Sequence, residues 1–521
     1  METEILLPVP KMERSYELET KEALQISNDF AAAGNLHAAI EQLLPLEKKT
    51  RKASDVASNS AILTHIVEMC FSASNWTVLC EQLTTLSESH GKLDQSISQM
   101  VKKAITFVDQ TPDQETQIEY IITLRKITEG RMLNEAERVQ LTRRLAGIYH
   151  GQDKIEQASE VMQEDQIETY GSLDKHTKVE FILEQMQMCL LCSDYSRMAI
   201  VSRKINVSYF NGTEVDTKLN PTNTKLNSSD TDAKLNQNDS TDADTKLKKT
   251  QEILVKHKLQ YYDLMIKLGV HMDQFLQVSM HYNRLFATKA IRNNASLWPK
   301  VLVRAVIFCV LAKYDNEQYD LLQRYISLEE LDKLPQCNDF ARLFVSKNLI
   351  VWADMLRNFA SLMRGEDSGI DSINNLPAFN ADSSSAHQSI SDLLTVIREP
   401  IFSETTATGT KHLKSIQDRA IEHNIRVISK YYSRISLERL AQLVSLDVAS
   451  AEEKLCGLVV DGSVYAKIDR PRQIINFVQP KSVSETLDVW VSDVNGLLGL
   501  VEKTCHLVEK ENILYNIAHC K

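Results

Sequence analysis

Apolar residues recur at steps of three and four from Leu413 to Tyr432. Leu413, Ile416, Ala420, Ile421, Ile425, Ile428 and Tyr432 share one side of a 3.6-residue helix. Ser436 can cap a second helix whose inner face is Leu437, Leu440, Ala441 and Val444. Ser450 with Glu453 reads as a capping box opening a third helix, with Ala451, Leu455, Leu458 and Val459 inward. After Asp461-Gly462 the period drops to two. Val464, Ala466 and Ile468 alternate with Tyr465, Lys467 and Asp469, and the turn Arg470-Pro471-Arg472-Gln473 leads into Ile474 to Val478. Two strand-like runs on a short Pro-containing connection predict a hairpin. Three helices followed by a hairpin, over residues 411–480, predict a winged helix.

The pattern then returns to helix. Ser482 and Glu485 form a further capping box, and Leu487, Trp490, Val494, Leu497, Val501 and Val508 trace a heptad seam interrupted by Thr504. Leu498, Cys505 and Ile513 widen it. A long helix beyond its own domain, over residues 481–521, has little of that domain left to cover it. The seam therefore predicts a bundle with helices of other chains, with folding back on the winged helix as the alternative, and Leu487, Trp490, Val494, Leu497, Val501 and Val508 are the candidate contact residues.

Upstream, a tail of residues 1–15 precedes a long run of helices over residues 16–210, which resumes at 250–364. Turn signals recur loosely. Gly34-Asn35-Leu36 precedes Ala39, Ser74-Asn75-Trp76 precedes Leu79, Asp153-Lys154-Ile155 precedes Ala158, and Ser193-Asp194-Tyr195 precedes Ala199. Asp273-Gln274-Phe275 and Asn316 to Tyr319 are degenerate copies. A small polar residue turns the chain, an apolar one wedges between helices, and a helix pair that cannot cover itself stacks on its neighbours. The fold class is mainly α: an irregular TPR-like α-solenoid, then the winged helix, then the long C-terminal helix.

Two stretches break the pattern. Residues 211–249 hold four near-copies of a Thr-Lys-Leu-Asn unit, each with one Leu, too little apolar surface to offset ordering entropy; a disordered loop is expected. Residues 365–410 are rich in Ser, Asn and Asp, with one short helix expected around Ile390 to Ile397. The Asp367 to Ser372 string fits a phosphodegron pattern, which such a composition produces readily by chance.

The 521 residues contain only 15 Gly and 11 Pro, which suits helices almost throughout. The net charge of −11 disfavours broad nucleic-acid or anionic-membrane binding. No apolar run reaches the roughly 18 residues of a spanning helix, and Met1 to Lys11 lacks a secretory n-region. Nine cysteines without a framework suit reduced thiols, so the Asn-x-Ser/Thr matches carry no meaning. A winged helix is often a DNA reader, but its third helix bears Asp447, Glu452, Glu453 and Asp461 against Lys454, which repels phosphate. Lys467, Arg470 and Arg472 on the hairpin fit a solvated tip.

Catalytic constellations are not found. Cys189 and Cys192 form a lone Cys-x-x-Cys inside a helical stripe, where core packing is the expected role. His412 and His423 lie eleven apart on one helix and share no metal face. No phosphate loop, His-Glu-x-x-His or nucleophile elbow occurs, so no enzyme, cofactor or metal is expected.

Specific strings add to this reading. They are Leu43 to Lys48, Thr123 to Gly130, Glu168 to Ser172, Val179 to Met186, Asp315 to Gln318, Glu422 to Arg426, Lys430 to Tyr432 and Ile474 to Phe477. On these the chain resembles the PCI-domain scaffold subunits of the 26S proteasome lid, from about residue 16 to 515. The resemblance implies a non-catalytic hetero-oligomeric subunit, cytoplasmic and nuclear, supporting degradation of ubiquitinated proteins. It implies as partners other lid PCI subunits, the lid's metal-dependent deubiquitinase, the core-particle α ring and the ATPase base. It also implies a ring contact through the winged helix, with Val464, Tyr465, Ile468, Ile475 and Phe477 as its residues. The alternatives are the paralogous PCI subunit of the signalosome and a winged-helix nucleic-acid binder.

Overall fold

The computed structural model describes residues 16–32, 36–88, 93–167, 170–210, 239–364, 401–402, 406–479 and 482–519. The expected short helix near Ile390, the Asp367 to Ser372 string and most of the Thr-Lys-Leu-Asn units lie outside them. The chain divides into two compact units, one formed mainly by residues 1–274, the other mainly by 295–381 and 399–521.

The first unit is built from helices, several of them joined by tight turns. They are α1 (Glu17–Ala32), α2 (Leu36–Lys52), α3 (Val56–Ser72), α4 (Trp76–Glu88), α5 (Asp94–Ile105), α6 (Gln114–Thr128), α7 (Glu135–Gly151), α8 (Ile155–Glu164), α9 (Lys175–Leu191), α10 (Tyr195–Ser202) and α11 (Asp239–His271). Most pack on the next helix or the next but one, as a repeat array requires. The turn residues do what their chemistry allows. Ser54, Ser74, Asp153, Ser193 and Asp273 all adopt left-handed backbone, with φ between 55 and 59°. After each, the following N–H reaches back over the helix end, as Asn75 does to the Cys70 carbonyl at 3.3 Å and Asp194 to Cys189 at 2.9 Å. These are Schellman closures: the left-handed residue lets two orphan carbonyls find donors, and the next helix starts at once.

Wedge residues then fill the corners. Ala39, Leu79 and Ala158 are buried, and beside Tyr195 it is Met198, not Ala199, that goes inward. Phe71 stacks on Phe107 with centroids 4.1 Å apart, and Trp76 meets Phe71 and Tyr120 edge-on. Of the stretch expected to be disordered, residues 211–238 lie outside the described residues, and from Asp239 the chain is already in α11. A helix that is nucleated by packed residues such as Leu259 and Tyr262 extends cheaply one residue at a time.

The second unit starts with the first turns of α12 (Phe275–Phe286), which is followed by the short α13 (Lys289–Arg292) of the first unit. It continues with α14 (Trp298–Leu311), α15 (Asn316–Ile326), α16 (Glu329–Asp332), α17 (Pro335–Val345) and α18 (Trp352–Arg364). Helix α14 is buried almost all round, from Ala305 through Leu311, and α15, α17 and α19 (Ala407–Tyr431) pack on it.

Helix α19 opens the winged helix, with β1 (Arg434–Ser436), α20 (Leu437–Val444), α21 (Val448–Val460), β2 (Lys467–Asp469) and β3 (Ile474–Asn476). Ser436 caps α20, its hydroxyl accepting the Arg439 N–H at 3.4 Å. Ile416, Ile425, Leu440, Leu455 and Ile475 are fully buried in or beside one core. Three expectations are corrected. Ser450 does not cap α21. Helix α20 closes on left-handed Ser445, with Leu446 N–H on the Ala441 carbonyl at 3.0 Å, so Asp447 is already the joint and α21 starts at Val448. Tyr432 leaves the α19 stripe because its backbone is extended there, and its side chain is exposed. The hairpin is also not alone. Strand β1 pairs with β3 antiparallel, placing Ile435 opposite Ile475, and β2 pairs with its other edge, placing Ile468 opposite Ile475.

Candidate functional site

The long C-terminal helix α22 runs from Val483 to His519, 37 residues. Its start is the expected capping box: Glu485 N–H donates to Ser482 Oγ at 3.1 Å, and Ser482 N–H donates to Glu485 Oε2 at 3.2 Å. Two orphan N–H groups are thereby satisfied at the helix N-terminus.

None of its described residues is buried. The seam residues Leu487, Trp490, Val494, Leu497, Val501 and Val508 are all 41–65% exposed. A helix of this length spans about 55 Å. Apolar side chains arranged this way recover nothing from the hydrophobic effect until something covers them. The site is therefore a surface, set on a rigid rod.

The winged-helix candidates fall differently. Val464, Ile475 and Phe477 are 6%, 0% and 8% exposed and belong to the domain's own core. Tyr465 and Ile468 are half-buried. In this chain the first three side chains hold the sheet to the helices. The large apolar side chains that the same region offers outward are Tyr431, Tyr432, Val460, Ile474 and Val478. Alternation alone could not tell these apart, because β3 is the central strand and one of its faces is taken by α19 and α20. The hairpin cations are partly spent as well. Arg470 Nε donates to Glu452 Oε1 at 2.8 Å, and Lys454 on α21 pairs with Asp418 at 2.9 Å.

Residues 422–426 do more than a helical stripe suggests. Asn424 makes two short bonds to one residue, Oδ1 accepting the Ile350 N–H at 2.7 Å and Nδ2 donating to the Ile350 carbonyl at 2.8 Å. Its amide behaves as a one-residue strand partner for the turn that precedes α18. His423 Nε2 lies 3.3 Å from the Asn348 carbonyl beside the Phe344 ring. Arg426 sets its guanidinium 3.6 Å from the Tyr314 ring centroid. Burial holds that guanidinium down to about 10, well under the usual arginine range. Arg426, Arg419, Tyr314 and Gln318 line a small cleft in this unit, which presents two cations. Arg419 is held by Glu422 at 2.5 Å.

Burial also pushes His423 down to about 4, the neighbouring Arg426 charge adding to it. The folded protein thus keeps this imidazole neutral, while the unfolded chain takes up a proton near 6.5. Stability is full above that value and falls as pH drops from 6.5 towards 4. Between pH 7 and 5 this residue alone should withdraw about 2 kcal/mol. Urea midpoints at the two pH values should therefore differ less in His423→Leu than in the native protein, and equal slopes would contradict the assignment.

The chemistry-bearing residues stay apart. Cys189 is buried, with its thiol pushed up to about 11 by desolvation, and Cys192 donates to the Ile155 carbonyl at 3.4 Å. His412 sits among Phe275, Phe308 and Phe402 with Nδ1 on the Ile401 carbonyl at 3.0 Å. Among the described residues no three His, Cys, Asp or Glu side chains gather as a metal site would need, and no helix is long and apolar enough to cross a membrane.

Comparison with known proteins gives three family matches: PSMD12/CSN4, N-terminal, over residues 38–234, PCI domain over 385–479, and 26S proteasome regulatory subunit RPN5 C-terminal domain over 484–516. The chain is 33% identical to the 26S proteasome regulatory subunit RPN5 of Saccharomyces cerevisiae over 491 residues, 94% of each chain. It is 33% identical to the 26S proteasome non-ATPase regulatory subunit 12 homolog A of Arabidopsis thaliana, covering 93% of this chain and 99% of that one. It is 32% identical to the 26S proteasome regulatory subunit rpn501 of Schizosaccharomyces pombe, 93% of each.

Proposed function

The chain belongs to the family of 26S proteasome regulatory subunits with a PCI domain, and from that premise we propose that α22 is the surface through which it is built into the regulatory particle. It is a scaffold subunit of the lid, assembled with other subunits of the proteasome. Its contribution is mechanical: it catalyses nothing itself and supports degradation of ubiquitinated proteins by holding other subunits in place. Its neighbours are other PCI subunits of the lid, the lid's metal-dependent deubiquitinase, the core-particle α ring and the ATPase base. It works in the cytoplasm and the nucleus.

One observation carries this reading. Helix α22 is fully formed and capped, yet none of its described residues is buried, and residues 484–516 within it are matched as a domain in their own right. A domain that cannot bury its apolar surface within its own chain is completed by another.

The signalosome reading shares the N-terminal match, whose description covers both families, so residues 38–234 do not separate the two. The C-terminal match does. Affinity purification of the tagged chain should bring down proteasomal ATPase subunits and core-particle α subunits. Recovery of cullins in their place would overturn the assignment. Nucleic-acid binding is disfavoured by the acidic α21 and by the pairing of Arg470 with Glu452.

A further inference from the structure

Two stretches far apart in sequence meet in the small cleft of the second unit. Helices α14 and α15 and their connection supply Val310, Tyr314, Tyr319 and Leu322, and α19 supplies Arg419 and Arg426. The two arginines are seven residues apart, so both fall on one face of α19. Val310 and Leu322 are buried and make the floor apolar. Tyr314 and Tyr319 are 39% and 41% exposed, form the rim and meet edge-on.

The cations in this cleft are only partly satisfied. Arg419 Nη1 donates to Glu422 Oε2 at 2.5 Å, yet its buried Nε has no hydrogen-bond partner among the described residues. Arg426 lays its guanidinium on the Tyr314 ring, and its buried Nη1 is likewise without an acceptor. Stacking occupies the flat face of a guanidinium and leaves its edge donors unused. Gln318, beside them, already donates to the Cys309 carbonyl at 3.0 Å. A buried N–H without an acceptor is a standing cost that an arriving oxygen removes. Two guanidinium groups against the one Glu422 carboxylate also leave a single positive charge over.

We propose that this cleft receives a carboxylate of a partner polypeptide, an Asp or Glu side chain or a chain end, which bridges the free edges of Arg419 and Arg426. The charge left over matches a monoanion, whereas phosphate, with nearly two charges, would be pressed against Glu422. The apolar floor suits the carbon stem of an acidic residue, and a free inorganic anion has nothing to set there. Exposed tyrosines around buried arginine donors are also the composition of a contact surface between proteins. The claim rests on the scaffold reading only for the existence of a partner, and α22 takes no part in it.

The test uses the tagged full chain in cells that assemble the complex. A photoreactive phenylalanine analogue replaces Tyr319 at the rim, and the assembled particle is irradiated and its cross-links mapped. The expected product joins position 319 to another polypeptide, at a segment whose acid is either a side chain or the chain end. Adding Arg426→Met or Arg419→Gln should lower the yield of that product at least tenfold, because a charged hydrogen bond is lost. Arg426→Lys, which keeps the charge without the fork, should fall between. Replacing the partner's acid by its amide should act as Arg426→Met does. The free Arg426→Met chain should melt at or above the native temperature, since an apolar side chain replaces a desolvated cation. Undiminished cross-linking in both arginine variants would overturn the proposal, as would a product confined to this chain or no product at all. If Arg426→Met lowers the melting temperature by several degrees and Arg419→Gln leaves the cross-link unchanged, the cations are structural and the proposal fails. Stabilisation of the free chain by millimolar inorganic phosphate, abolished by Arg426→Met, would assign the cleft to a free anion and overturn it too. Native recovery of lid subunits without the cross-link would remove the cleft's role and leave the scaffold reading intact.

Discussion

Ending the chain after Pro480 leaves a protein that folds and melts as the native one does, within about 1 °C, and that no longer enters the lid. The physical reason is the exposure of α22. Removing it uncovers none of its own buried residues, so the two compact units lose nothing they were using. The complex loses far more. Burying one exposed Leu, Val or Trp contributes up to about 1.5–3 kcal/mol, and α22 offers more than ten along its length, six of them in the seam. Calorimetry of the truncated chain and affinity purification of its complexes measure the two halves of the claim. Assembly at native levels would place the driving contacts elsewhere, and a large fall in melting temperature would mean that α22 packs on its own chain. The truncated chain should also self-associate less at high concentration, because the exposed apolar rod is gone.

The largest effect on stability should come from Asn424→Ala. The substitution leaves the Ile350 N–H and C=O without their side-chain partner, both in a buried setting. Each orphaned group costs about 1–3 kcal/mol, so a loss of roughly 3 kcal/mol or more is expected. Asn424→Asp should not rescue it, because a carboxylate can accept the N–H but turns a lone pair towards the carbonyl. Denaturant melts of the three proteins provide the comparison, and limited proteolysis should cut residues 346–351 faster in both variants. If Asn424→Ala melts like the native protein, the amide clamp contributes no stability and the turn is held by packing alone.

These two expectations differ in how far they could be seen beforehand. The α22 seam is a local pattern: a heptad of apolar residues opened by Ser482 and Glu485 is legible in the order of residues, because a helix maps sequence directly onto its own surface. The turns of the first unit were equally legible, since Ser74, Asp153, Ser193 and Asp273 are small polar residues that accept left-handed backbone. The Asn424 clamp gave no such signal. It joins residues 74 positions apart, and an Asn within an apolar helical stripe says nothing about which backbone it will meet. Strand β1 was missed for a related reason: three residues are too few to show alternation, and its pairing with β3 crosses two intervening helices.

What the order of residues determined by itself was much of what is written within about one helix length: the main periods, the caps at Ser436 and Ser482, the left-handed turns, the winged-helix plan and the uncovered C-terminal stripe. Tertiary structure alone decided which apolar side chains were already taken. Val464, Ile475 and Phe477 read from the sequence as a possible contact surface, yet the domain's own helices cover them; Leu487 to Val508 read the same way, and within this chain they stay uncovered. Hydrophobicity is a property of a residue, whereas burial is a property of what lies across from it, and only the folded chain supplies that second surface.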